Sequence, residues 1–142
     1  MTQINSIRQR DIFAKTLYYE GGSTDDIIEI LYIGYVIRNR VDGKKWFGNN
    51  YIEVCLKKWQ FSCWNNKTLE QIEAIDLDAR RKWKMCLMVA EYIMELPKKE
   101  IPAEMQGVCY YYNPLLVCPT WAYKGELVYP EPRLAHIFLK LK

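Results

Sequence analysis

Histidine is all but missing from this chain, with His136 standing alone among 142 residues. The five cysteines, Cys55, Cys63, Cys86, Cys109 and Cys118, form no Cys-x-x-Cys pair, so a zinc centre lacks its ligands. No metal and no cofactor is expected. An odd cysteine count at irregular spacing suits reduced, partly buried thiols, with a Cys109–Cys118 bridge across a hairpin still conceivable. Long apolar runs are also lacking: the longest, Ile27 to Ile37, contains Glu29 and is too short to insert into a bilayer. The amino terminus shows no basic stretch followed by an apolar one and a small-residue cleavage site. Charge of one sign does not dominate either. Twenty basic and 17 acidic side chains give a net charge of +3, and the short clusters Lys44-Lys45 and Arg80-Arg81-Lys82 read as solvated faces rather than phosphate tracks, so no nucleic-acid partner is expected.

What is present suffices for a core. Half of the residues are apolar, and no repeat, low-complexity tract or linker divides residues 1–142, which read as one domain. Apolar residues Ile4, Ile7, Ile12, Phe13 and Leu17 recur at helical spacing, predicting a first helix over Ile4 to Tyr19. Ser23-Thr24-Asp25-Asp26 supplies a capping hydroxyl and first-turn acids for a second helix ending near Arg40, before a turn at Asp42-Gly43. Gly34 inside it sacrifices about 1 kcal/mol of helix propensity, a cost consistent with another helix approaching closely. A short helix is predicted over Tyr51 to Lys58. A longer one runs from Asp78 to Leu96, with Trp83, Cys86, Leu87, Ala90 and Met94 as a core stripe and Pro97 as its stop. From Met105 onward, aromatic and β-branched residues between prolines and Gly125 predict short strands. The fold class is α+β, a compact helix-rich domain with a small C-terminal β element.

Glu20 draws attention because Leu17-Tyr18-Tyr19-Glu20-Gly21-Gly22 places a carboxyl where a helix gives way to paired glycines. The negative pole of the helix disfavours a carboxylate there by about 0.3–1 kcal/mol, and nearby aromatic surface pushes in the same direction, toward the protonated form a general acid requires. The glycines remove bulk and permit a substrate to come close. The bland alternative is an exposed residue beside an ordinary glycine helix stop.

Three further segments come after it in order: Val36-Ile37-Arg38-Asn39-Arg40-Val41, then Gln60-Phe61-Ser62-Cys63-Trp64, then Tyr110-Tyr111-Tyr112-Asn113 with Pro119-Thr120-Trp121. Together with the helix-Glu-Gly junction, this series resembles the catalytic domain of SleB-like cell-wall hydrolases, from about Asp11 to about Phe138. The resemblance implies a lysozyme-like arrangement in which Glu20 is the catalytic glutamate. Gln60, Phe61 and Ser62 would line a saccharide groove, and Tyr111, Tyr112 and Asn113 with Trp121 would form its other wall. The chain departs from the family where Cys109-Tyr110-Tyr111 replaces a Thr-His-Tyr-type run and Leu134-Ala135-His136 replaces a Gly-Asn-His pattern.

The residues themselves support a sugar platform, since sugar rings stack on flat apolar faces while their hydroxyls need polar partners. Phe61 and Trp64 flank Ser62, and Trp121 lies in a proline-rich loop. Trp46, Trp59 and Trp83 are assigned to the core. The resemblance further implies peptidoglycan as partner, cleaved between N-acetylmuramic acid and N-acetylglucosamine at the cell wall, which a chain without a visible export signal would reach either as the trimmed form of a longer sequence or by another route of release, as a phage-encoded or virion-carried lysin does. The lytic route needs one carboxyl, whereas hydrolysis generally uses two, for which Asp25, Asp26, Asp42 and Glu126 are candidates. A non-catalytic saccharide-binding module and a cysteine amidase using His136 as base are the competing classes.

Overall fold

The computed structural model describes residues 3–22, 24, 26–43, 46–58, 60–128 and 134–141. Within them the elements run α1 (Gln3–Glu20), α2 (Ile27–Gly43), α3 (Tyr51–Cys55), α4 (Leu69–Glu73), α5 (Arg81–Glu95), β1 (Tyr110–Tyr112), β2 (Gly125–Val128) and β3 (Ile137–Leu141), joined by turns and short 3-10 segments. The fold is α+β, with one small antiparallel sheet near the C-terminus in the order β1-β3-β2.

The helix α1 sits at the centre, packed against α5, α3 and α2. Every residue from Ile12 to Leu17 is buried, round the whole circumference of the helix, which is the pattern of an enclosed helix rather than an amphipathic surface one. Its polar residues are satisfied where they go inside. Lys15 donates to the carbonyls of Ile72 and Glu73 at 3.0 and 3.1 Å, and Gln9 accepts from the Ile52 amide at 2.9 Å. Ile7, expected on the apolar face, is instead 43% exposed near the N-terminal end.

Local chemistry explains the helix ends. Asp26 caps α2, its carboxylate accepting from the Ile28 amide at 2.9 Å, while Ser23 and Asp25 lie outside the described residues. The helix runs through the expected Asp42-Gly43 turn to Gly43. Gly34 admits α5, since a Cβ there would lie 2.3 Å from Ile93 Cδ1. Residues Leu56 to Lys58 turn away after α3 instead of continuing it. The short α4 was not expected; Thr68 and Gln71 form a reciprocal capping box that starts it. The long helix α5 begins at Arg81, three residues later than expected, and buries Trp83, Cys86, Val89, Ala90 and Ile93. It stops because Leu96, which precedes Pro97, is pushed to extended angles.

Three consecutive side chains at the end of α2 organise the chain from the end of α5 to β1. Arg38 donates to the carbonyls of Ile93 and Leu96 at 2.7 and 2.6 Å, tying down the end of α5. Asn39 donates to the Met105 and Val108 carbonyls at 2.8 and 2.9 Å, and Arg40 Nε to that of Cys109 at 2.9 Å. The approach to β1 is thereby pinned to α2, which fixes where Tyr111 goes.

Candidate active site

Glu20 is the last residue of α1. The chain then turns sharply: Gly21 donates to the Leu17 carbonyl at 3.0 Å, Gly22 donates to Tyr19 at 3.1 Å, and Gly22 adopts a left-handed φ of 61°. Lys82, from α5, donates to the Tyr18 and Gly22 carbonyls at 2.9 and 2.7 Å. A Cβ on Gly21 would lie 3.3 Å from that ammonium and 3.2 Å from the Leu17 carbonyl oxygen. The room expected for substrate at Gly21 is thus occupied by Lys82, and only Gly22 is exposed.

The carboxyl of Glu20 is partly buried and meets four groups from distant parts of the chain. The Tyr111 hydroxyl donates to Oε1, and the Cys63 thiol also donates to the carboxyl. His136 and Arg40 act on it through their charge. Burial dominates and raises the Glu20 pKa, while Tyr111, then Cys63, His136 and Arg40 pull it back down. The direction agrees with the expectation for a general acid, although burial rather than the helix pole is the leading cause. Burial likewise pushes the Tyr111 hydroxyl and the Cys63 thiol well up, with the Glu20 charge adding to both. Each therefore stays a hydrogen-bond donor.

Arg40 is 5% exposed, and its guanidinium lies 4.8, 5.3 and 5.7 Å from the ring centroids of Phe47, Phe61 and Tyr110. Its Nη1 is buried without a hydrogen-bond partner among the described residues. Desolvation lowers the Arg40 pKa. His136 donates through its backbone amide to Glu29 Oε1 at 2.9 Å, and its Nδ1 lies 2.5 Å from the same oxygen. Its ring packs edge-on against Tyr111, centroids 5.2 Å apart.

The expected groove residues separate into groups. Tyr111 joins Glu20, whereas Tyr112 projects to the opposite face of β1 and packs edge-on against Trp121 at 6.0 Å. Trp121 also contacts Tyr110 at 5.4 Å. Asn113 is turned to its own loop, where Oδ1 accepts from the Leu115 amide at 3.0 Å. Gln60 and Ser62 stand at the turn that delivers Cys63; Ser62 is exposed and Gln60 partly so. Phe61 and Trp64 correct the platform expectation, being 2% and 6% exposed, with the Trp64 indole donating to Thr16 Oγ1 at 2.9 Å. Both belong to the core. Trp46 reverses the other way, at 52% exposed instead of buried, while Trp83 is in the core at 6% and Trp59 lies outside the described residues. Cys109 and Cys118 both remain thiols, so the hairpin bridge is not formed.

Two site residues escaped the sequence reading. Cys63 adjoins the Gln60-Phe61-Ser62 turn, and from sequence alone its thiol reads only as a partly buried one. Glu29 is 3% exposed, and the signal available was a lone carboxylate inside the apolar run from Ile27 to Ile37.

Residues 27–139 match the Cell Wall Hydrolase family, and the chain belongs to that SleB-like family. Its members are hydrolases of the cell wall, which makes peptidoglycan the substrate and the wall the place of action. The matched span carries Glu29, Arg40, Cys63, Tyr111 and His136 and begins seven residues after Glu20. No curated protein and no solved structure matches the chain. Among the described residues no helix is long and apolar enough to cross a membrane, and no group of three His, Cys, Asp or Glu residues is placed to hold a metal ion.

The hydrogen bond from Tyr111 favours the ionised form of Glu20. Tyr111→Phe is accordingly expected to raise the Glu20 pKa further and, if Glu20 is the general acid, to move the alkaline fall-off of kcat/KM to higher pH. A pH–rate profile of the variant, with its descending limb unmoved, would reject the contact as a control on Glu20.

Proposed function

We propose that the protein cleaves peptidoglycan glycan strands between N-acetylmuramic acid and N-acetylglucosamine as a lytic transglycosylase, with Glu20 as acid and then base. The observation that carries this reading is a largely enclosed carboxyl at a helix end, its pKa raised by burial and its charged form accepting hydrogen bonds from Tyr111 and Cys63. Protonated Glu20 gives its proton to the bridging oxygen as the bond from the muramyl anomeric carbon breaks. The resulting carboxylate takes the proton of the muramyl 6-hydroxyl while that oxygen bonds to the same carbon. Tyr111, Cys63 and Arg40 favour the carboxylate and so support the second half of the cycle. Gln60, Ser62, Tyr112, Asn113 and Trp121 remain assigned to the glycan, by the family resemblance and by their accessible surface.

A single-carboxyl route is supported by where the other acids are. The groups that act most on Glu20 include no carboxylate. Asp26 caps α2, Asp42 pairs with Arg38 at 2.9 Å, and Glu126 is exposed on β2; Asp25 lies outside the described residues. Hydrolysis is the second reading, favoured by Glu29: its buried carboxylate holds His136 beside Tyr111, and such a dyad can serve as the base for an attacking water. Mass spectrometry of fragments released from purified peptidoglycan separates the two. Expected are 1,6-anhydromuramyl ends that borohydride does not reduce. Reducing muramyl ends, one water heavier, would reject the lytic route and direct attention to Glu29 and His136.

A further inference from the structure

Away from Glu20, a cleft of about 350 Å³ opens beside the C-terminal end of α2, with Asp42, Trp46, Phe47, Lys98, Cys109 and Tyr110 among its walls. Trp46 stands at this cleft half exposed, with its ring 4.2 Å from that of Phe47. An exposed indole braced from behind by a second ring is a flat, preorganised apolar face. Lys98 and Asp42 supply a donor and an acceptor at the same cleft.

The cleft is connected to the catalytic strand. Rings succeed one another from Trp46 to Phe47, from Phe47 to Tyr110 at 5.9 Å, from Tyr110 to Trp121 at 5.4 Å and on to Tyr112 at 6.0 Å. Tyr110 and Tyr112 flank Tyr111, whose hydroxyl bonds Glu20. Arg40 ties the two regions, since it acts on Glu20 while lying over the rings of Phe47 and Tyr110. Arg40, two residues before Asp42 on α2, thus stands between Glu20 and the cleft, so a polymer held at Glu20 can extend toward the cleft.

We infer that the Trp46 cleft is a distal saccharide subsite, in which an N-acetylated sugar several units from the scissile bond stacks on Trp46 and hydrogen-bonds to Lys98 and Asp42. This rests on the glycan-cleaving reading of Glu20 and adds a length preference: the enzyme holds long strands better than short ones.

The test uses the full chain in two arms. In the first, calorimetric titration of Glu20→Gln with a disaccharide and a hexasaccharide of N-acetylglucosamine reads binding without turnover. Adding Trp46→Ala is expected to weaken the hexasaccharide by about 3–10-fold, the worth of one aromatic stacking contact, to leave the disaccharide unchanged, and to be reversed by Trp46→Phe. An equal effect on both lengths, no effect on either, or no hexasaccharide binding before the change overturns the subsite. In the second arm, wild-type turnover of peptidoglycan is measured separately, so failure of the catalytic reading shows as lack of cleavage while the binding arm still judges the cleft. An unchanged melting temperature for Trp46→Ala excludes a folding defect as the cause.

Discussion

Glu20→Gln is expected to abolish glycan cleavage, with a loss of about 10²–10⁴-fold or more, while the protein stays folded. The amide fills the same space, and its oxygen still accepts from Tyr111, but it has no proton to give the leaving oxygen. Stability should move the other way. Burial raises the pKa of Glu20 in the folded chain, so between its unfolded and folded pKa values the folded state holds a proton that the unfolded state has released. Stability from this group is therefore undiminished below the unfolded carboxyl value and falls as pH rises through the folded one. The amide escapes that penalty. At neutral pH the variant should melt at or above the wild-type temperature, and muropeptide release together with a melting curve checks both halves. Turnover at the wild-type rate would remove Glu20 from the mechanism, whatever the melting curve shows.

Trp83→Ala carries the largest expected cost in stability, roughly 3–5 kcal/mol. The indole is 6% exposed on the buried face of α5, the helix that packs most extensively on α1. Against a typical domain stability of about 5–15 kcal/mol this removes about a fifth or more, and a fall of about 10–20 °C in Tm should accompany it. Denaturant unfolding of the variant provides the measurement. A wild-type midpoint would mean that α5 does not dock as described. Activity should decline as well, because Lys82, the preceding residue, holds the turn after Glu20.

The helices were legible in the sequence where an apolar period coincided with a strong stop: Pro97 ended α5, and Gly21-Gly22 ended α1. Legibility failed where the deciding contact was distant. The tryptophans show this most plainly: the sequence puts Trp64 on a sugar platform and Trp46 in the core, whereas Trp64 is in the core and Trp46 is exposed. Nothing near Trp64 in sequence announces Thr16, 48 residues away, as its hydrogen-bond partner. Period-two alternation separates Tyr111 from Tyr110 and Tyr112, because adjacent residues on a strand cannot line one wall. The Thr68-x-x-Gln71 capping box that starts α4 is, by contrast, a local signal legible in the sequence. Glu20 stood out through its local context; its partners Cys63, Arg40, Tyr111 and His136 converge only once α2 has pinned the strand entry through Asn39 and Arg40.

The ammonium of Lys82 on the carbonyls that flank Glu20 bears on whether this site is portable. The end of α1 is neutralised by a side chain from another helix, and the protonation of Glu20 is governed by what encloses it. A segment such as Tyr18–Gly22 grafted onto the end of a solvent-facing helix would bring the carboxyl and the glycines but neither the cation nor the enclosure. Such a graft would yield an ordinary surface carboxylate, ionised at neutral pH and inert as an acid. The chemistry is a property of the assembled domain, and a designer would have to transplant α5 and the β1 edge along with the glutamate.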